Sequence, residues 1–190
     1  IAKLPKKRHS LFFSATMPPV VASLAKELLH DPVQITIDPG QPTVERIEQQ
    51  LMFVDKENKD ELLIDLITDC HMDKVIVFTR TKHGADKVVQ HLESHGFKAD
   101  ALHADKSQGQ REQALARFKA GTTRLLVATD IAQRGLDISG ISHVVNYDVP
   151  SAGDAYVHRI GRTGRAGRSG MAITLAEPRE NRMLKNIERV

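Results

Sequence analysis

Apolar positions along the chain alternate between short continuous runs and spacings of three and four. Residues 11–13 form a short apolar run that predicts a strand. After Pro18, Val21, Leu24, Ala25 and Leu28 fall at i, i+3, i+4 and i+7, one face of a helix. Residues 33–37 read as a further strand, and Asp38-Pro39-Gly40-Gln41-Pro42 breaks the pattern. The rhythm then resumes: a strand over 47–54, then a helix carrying Leu62, Leu63, Leu66 and Ile67 with Asp55 as its cap, then a strand over 74–79. Ala85, Val88, Val89 and Leu92 mark the next helix, with Gly96 placed to stop it. A strand over 98–102 follows. Ser107-Gln108-Gly109-Gln110 has capping-box spacing ahead of a helix through Ala114, Leu115 and Phe118, closed by Gly121. Strands are expected over 124–128, 143–147 and 171–175, with a helix over 153–160 between the last two.

Valine-, isoleucine- and leucine-rich strands separated by helices imply a parallel sheet covered on both faces, an α/β architecture. The proline- and glycine-rich break divides the chain into 1–38, a linker over 39–45, and a main domain over 46–190. A length of 190 residues accommodates one domain with some extra. The single cysteine, Cys70, excludes a disulfide framework and a CxxC zinc site. The longest purely aliphatic or aromatic stretches are four residues, far below the ~20 of a membrane span. A soluble, cytoplasmic, globular protein is the expectation. Because the chain starts at Ile1 and stops within an amphipathic stretch (Met183, Leu184, Ile187, Val190), it is expected to be a piece of something longer.

Net charge adds little. Of 27 Lys and Arg against 24 Asp and Glu, four (Lys3, Lys6, Lys7, Arg8) lie in the first ten residues, and the remainder is net −1. A polyanion site must therefore be a local concentration of charge.

Parallel sheets bind ligands beyond the carboxyl ends of their strands. There the pattern places Thr79-Arg80-Thr81-Lys82, the segment from His103 to Ser107, and Thr129-Asp130. Singly these are ordinary, Ser107 a cap and Thr81 a turn residue. Together they offer hydroxyls, amides and cations on one rim, which suits a row of phosphates. Four consecutive R-x-G units, Arg159 to Gly170, contain no acid. Guanidinium groups fork onto phosphate oxygens, and glycine lets backbone approach a ligand. An RGG-like tail or a solvated basic turn are the plain alternatives. The run's position between a helix and a strand argues against the tail. No G-x-x-x-x-G-K-[ST] occurs, so the chain has no P-loop of its own. His91 and His95 stand at i, i+4 without a third ligand in the sequence and are read as a solvated helix face. Cys70 has no activating motif, and no metal is expected.

These motifs add up to a family. Ser14-Ala15-Thr16, Val75 to Thr81, Gln108-Gly109-Gln110-Arg111, Ala128 to Ile138, and Tyr156 to Arg165 appear in the order of the DEAD-box motifs. The sequence resembles the C-terminal RecA-like domain of DEAD-box ATP-dependent RNA helicases, preceded over 1–38 by the tail of their N-terminal RecA-like domain. FVDKENKDELL, VFTRTKHGAD and KSQGQR further resemble the bacterial RhlE-like branch.

The resemblance implies roles. Arg162 and Arg165 would be arginine fingers toward the γ-phosphate of ATP, with His158 in the same catalytic set. Gly135 and Asp137 would meet the ATP ribose. Thr79, Arg80, Thr81, Lys82, Thr129 and the amides near Ala104 and Asp130 would touch RNA phosphates. Ser14, Thr16 and Arg159 would couple the two sites. Arg111 and Arg134 would either brace the motifs or contact ligand directly. ATP with Mg2+, the ion held mainly by the N-terminal domain, sequence-independent RNA and that domain itself are the implied cofactors and partners. No membrane is involved. The P-loop and DEAD carboxylates would lie on the other domain, so the chain alone is expected to hydrolyse nothing.

Two residues depart from the family pattern. Ala104 stands where glycine is usual, and Gln133 replaces a small alanine. A DNA-directed helicase, a stand-alone RNA-binding module and a flavodoxin-like small-molecule binder are the competing readings. The last does not explain the arginine run.

Overall fold

The computed structural model describes residues 5, 7–14, 17, 19–36, 47–70, 72–130, 138–165 and 168–188. The chain divides into two compact units, residues 1–39 and 40–190. In the first, the described residues contain one helix, α1 (Pro19–Leu28), on the predicted i, i+3, i+4 face. The strands expected over 11–13 and 33–37 are not formed at the described residues 11–13 and 33–36. Strand geometry needs a neighbour to pair with its N–H and C=O groups, and among the described residues none does so. Phe13 and Val33 stay more than four-fifths exposed.

The second unit runs β1 (Ile47–Phe53), α2 (Lys59–Asp69), β2 (Val75–Phe78), α3 (Lys82–Ser94), β3 (Ala99–Leu102), α4 (Gln108–Lys119), β4 (Leu125–Ala128), β5 (His143–Asn146), α5 (Gly153–Ile160), β6 (Gly170–Ala176) and α6 (Asn181–Ile187). Every pairing is parallel, in the order β1-β6-β5-β2-β4-β3. Strand side chains alternate between faces, so each strand feeds two cores. Val75, Val77, Leu125, Val127, Val145 and Ile173 pack with Leu63, Leu66 and Ile67 of α2 and Val88 and Leu92 of α3. Ile76, Phe78, Leu126, Ala128 and Val144 face the other way, onto Phe118 of α4. Ala172 and Ile47 meet Ile160 of α5. This is the expected parallel sheet with helices on both faces.

Local signals work as read, with one exception. Ser107 and Gln110 form the reciprocal capping box of α4. Gly96 and Gly121 end their helices at φ +83° and +75°. Asp55, however, makes no side-chain cap: a 3-10 turn over Lys56–Asn58 intervenes, and α2 begins only at Lys59. Among the described residues, no helix is long and apolar enough to cross a membrane.

Candidate functional site

The carboxyl ends of β2, β3 and β4 bring the predicted rim together. Thr79 follows β2, is fully buried, and donates its N–H to the Ala128 carbonyl at 3.0 Å. Its hydroxyl donates to the Thr81 carbonyl at 3.2 Å, so it shapes the turn from within. Thr81 caps α3, its Oγ1 accepting from the Gly84 N–H at 3.0 Å. Thr129, also buried, donates its N–H to the Leu102 carbonyl and locks the β3 and β4 ends side by side. Ala104 is exposed in the turn after β3.

The cations of this rim are partnered. Arg80 is half-exposed, with Nη2 donating to Glu180 Oε1 at 2.8 Å and to the Val149 carbonyl at 3.3 Å. Lys82 pairs with Asp105 at 2.6 Å, and Lys106 with Asp86 at 2.9 Å. Burial would raise the Asp86 carboxyl, but hydrogen bonds from His103 and Lys106 outweigh it and hold it below the usual carboxylate range. His103, itself buried, sits 3.0 Å from the same carboxylate and ties the turn bearing Ala104 to α3.

The arginine loop lies at the opposite, amino ends of β5 and β6. Thr163, buried, donates its hydroxyl to the Ile141 and Ser142 carbonyls that lead into β5. Gly170, which opens β6, has no room for a side chain: a Cβ there would lie 2.3 Å from Thr163 Oγ1 and 2.5 Å from the Gly164 nitrogen. Gly164 itself turns at φ +65°. On this fixed turn, Arg162 and Arg165 each anchor through Nε to a carbonyl four residues back, His158 at 3.2 Å and Gly161 at 2.7 Å. Burial, and then the neighbouring charge of Arg165, push the Arg162 guanidinium below its ordinary value. Two like charges this close disfavour each other's charged form. The same repulsion makes the loop unsuited to a metal cation. His158 is exposed on the last turn of α5.

Arg159 connects the two ends. It is 1 % exposed and grips Asp130 with Nε and Nη2 at 2.6 and 2.7 Å. Its Nη1 donates to the Asp148 carbonyl at 2.8 Å and to Asn146 Oδ1 at 3.3 Å, and its guanidinium stacks 5.2 Å from the Phe78 ring. Asn146 in turn donates to Thr174 Oγ1. Ser14 lies in the first unit and Arg111 on α4. Thr16, Gln133, Arg134, Gly135, Asp137 and the linker over 39–45 lie outside the described residues.

Sequence reasoning missed the acids that hold this site. Glu180 joins Arg80 to the buried Lys59, which donates to the Tyr147 carbonyl at 2.9 Å. Asp148 accepts the Arg80 N–H at 2.8 Å. Asn146, at the end of β5 in an otherwise apolar run, was the one visible signal: a polar residue there calls for a buried partner.

Residues 58–167 match the helicase conserved C-terminal domain. DEAD-box ATP-dependent RNA helicase CshA of Geobacillus kaustophilus is 41 % identical over the whole chain, which spans 40 % of its length. The E. coli DEAD-box protein SrmB, solved bound to regulator of ribonuclease activity A, is 38 % identical, with TM-score 0.71 over 75 % of this chain and 84 % of that one. S. cerevisiae Dbp5 bound to RNA and ADP BeF3 superposes with TM-score 0.86 at 30 % identity, over 99 % of this chain and 50 % of that one. The chain thus spans about two-fifths of the length of the curated relatives it matches. These CshA relatives give no support to the finer RhlE-like assignment. The RecA-like parallel sheet is that of a helicase C-terminal domain, and the chain belongs to the DEAD-box family.

Proposed function

We propose that this chain is the second RecA-like half of an ATP-dependent RNA helicase, supplying arginines to ATP held by its partner domain and a phosphate-binding rim to RNA. The observation that carries the reading is the turn that Gly164 and Gly170 fix, which carries Arg162 and Arg165 three residues apart with the charge of Arg165 acting on Arg162. Two neighbouring guanidiniums repel one another, and an anion set against both would offset that repulsion. The charge that develops on a transferring phosphoryl group is such an anion, and fingers of this kind accelerate transfer by ~10³–10⁵. Asp137 and Gly135 would hold the ribose. Mg2+ belongs with the partner domain, because the arginine loop offers it only repulsion.

RNA would lie along Thr79–Lys82, Ala104 and Thr129–Asp130. Binding through phosphates carries no sequence information and weakens with salt. Arg159 ties Asp130 on that rim to the helix bearing His158, so movement at one end reaches the other. With ATP and RNA bound, the two halves close, one RNA strand bends, and a short duplex melts. Ser14 and Thr16 would pass this closure between domains. The chain by itself hydrolyses no ATP, since it has no P-loop. Cytoplasmic residence follows from the same reading.

The test is ATP turnover by the full-length protein alone, with single-stranded RNA, and with single-stranded DNA. RNA-specific stimulation that Arg165→Ala abolishes, with RNA binding largely retained, supports the assignment. Equal stimulation by DNA moves the protein to the DNA-directed helicases. Loss of RNA binding in step with turnover removes the finger role.

A further inference from the structure

His91 and His95 stand one turn apart on α3, and the fold supplies the third ligand that the sequence does not show. Helix α2 packs beside α3 and brings Glu61 to them, with His91 Nε2 3.8 Å from Glu61 Oε1. One ligand atom from each of the three residues lies within 4.8 Å of the other two. The two imidazole rings are 4.5 Å apart, centre to centre.

Two details prepare these rings as ligands. His91 Nε2 is shielded from solvent yet has no hydrogen-bond partner among the described residues, an orphan polar atom that a cation would satisfy. His95 Nδ1 lies 3.0 Å from the His91 carbonyl oxygen. Ser94 Oγ stands 3.2 Å from the same nitrogen but gives its own proton to the His91 carbonyl, so in the neutral ring Nδ1 is the donor and Nε2 is the atom left to bind a metal. Fixing a tautomer through the second nitrogen is how protein metal sites orient their histidines.

We infer that Glu61, His91 and His95 form a site for a divalent transition metal of the zinc type, cross-linking α2 to α3. Two imidazoles and one carboxylate suit Zn2+, Ni2+ or Cu2+ and disfavour the all-oxygen ions Mg2+ and Ca2+. Zinc takes such ligands at ~2.0–2.2 Å, so the triad must close by about an ångström. Glu61, two-thirds exposed, has the freedom to do so. A water would complete the tetrahedron. Both helices cover the sheet face that carries Val75 and Val77, while α5 and Ile160 pack on the other, so the site is separate from the arginine loop.

Calorimetric titration of the untagged chain with Zn2+ tests this, together with Glu61→Gln, His91→Gln, His95→Gln and the control His83→Gln from the first turn of α3. One equivalent is expected to bind the parent and the control alike, raising Tm by about 5–10 °C at ~100 times Kd. Each of the three ligand variants should bind at least ~10-fold more weakly, and Co2+ in the parent should show the visible bands of a tetrahedral site. Glu61 and His95 are exposed, so their variants should fold with unchanged metal-free Tm. Absence of stoichiometric binding in the parent overturns the site, and so does a Glu61→Gln variant that binds as tightly as the parent.

Discussion

Arg159 and Asp130, 29 positions apart, meet through a two-pronged ion pair in which the arginine is buried and the carboxylate is 40 % exposed. The two partners therefore differ in what their loss leaves behind. Asp130→Ala strands a charge in the interior, whereas Arg159→Met leaves a carboxylate that water can still reach. The first is expected to cost about 2–4 kcal/mol, below the range for a fully buried pair because Asp130 is partly solvated. The second leaves Asn146 Oδ1 and the Asp148 carbonyl without a donor but strands no charge, and should cost less. Urea unfolding of both variants measures the difference, and equal losses would contradict the asymmetry.

Glycine positions in the chain differ in kind. Gly170→Ala places a methyl against Thr163 and the Gly164 nitrogen, and a backbone atom cannot swing aside. A loss of about 3 kcal/mol is expected, at the upper end for overpacking. Gly109 lies inside α4, and nothing stands within 4 Å of the place a methyl would take. Its replacement by Ala should add about 0.5 kcal/mol of stability. Thermal melts of the two variants should shift in opposite directions.

Acid should loosen the Lys59–Glu180–Arg80 cluster. Burial raises the Glu180 carboxyl, but the Glu177 N–H, Arg80 and Lys59 together hold it below its ordinary 4.5. A depressed folded value means that its contribution is complete above pH 4.5 and is lost as pH falls through the lower folded value. Glu180→Gln should cost about 2 kcal/mol at pH 7. It should also flatten the decline in stability below pH 4.5. A variant as acid-sensitive as the parent would place that titration elsewhere.

The sheet and its helices were legible in the sequence because the central strands β2 and β4 are unbroken apolar runs. Val75–Phe78 and Leu125–Ala128 admit no other reading once Ser107, Gly96 and Gly121 punctuate the helices between them. The failures share a cause: the apolar runs at 11–13 and 33–37 have strand composition, but composition supplies no neighbour to pair with. The arginine loop was visible as a repeat, since glycine spacing and charge are local facts. Its supports were not. Glu180 and Asp86 look like surface acids until folding sets them against Arg80, Lys59, His103 and Lys106. A third group beside His91 and His95 was hidden for the same reason. Glu61 lies thirty residues earlier, and only the packing of α2 on α3 brings it to them.

The sheet's first strand pairs with its last, Ile47 with Gly170 through Phe53 with Ala176. A chain emerging from the ribosome cannot complete that pairing until nearly all of this unit has been synthesised. In the meantime β1 waits with its backbone groups unmet, including Leu51 and Phe53, which remain about half exposed even when folded. Non-local parallel pairing is slow to form, and an idle apolar strand invites association with other nascent chains. Synthesis rate and early protection of residues 47–53 should therefore govern the yield of this protein more than its final stability does.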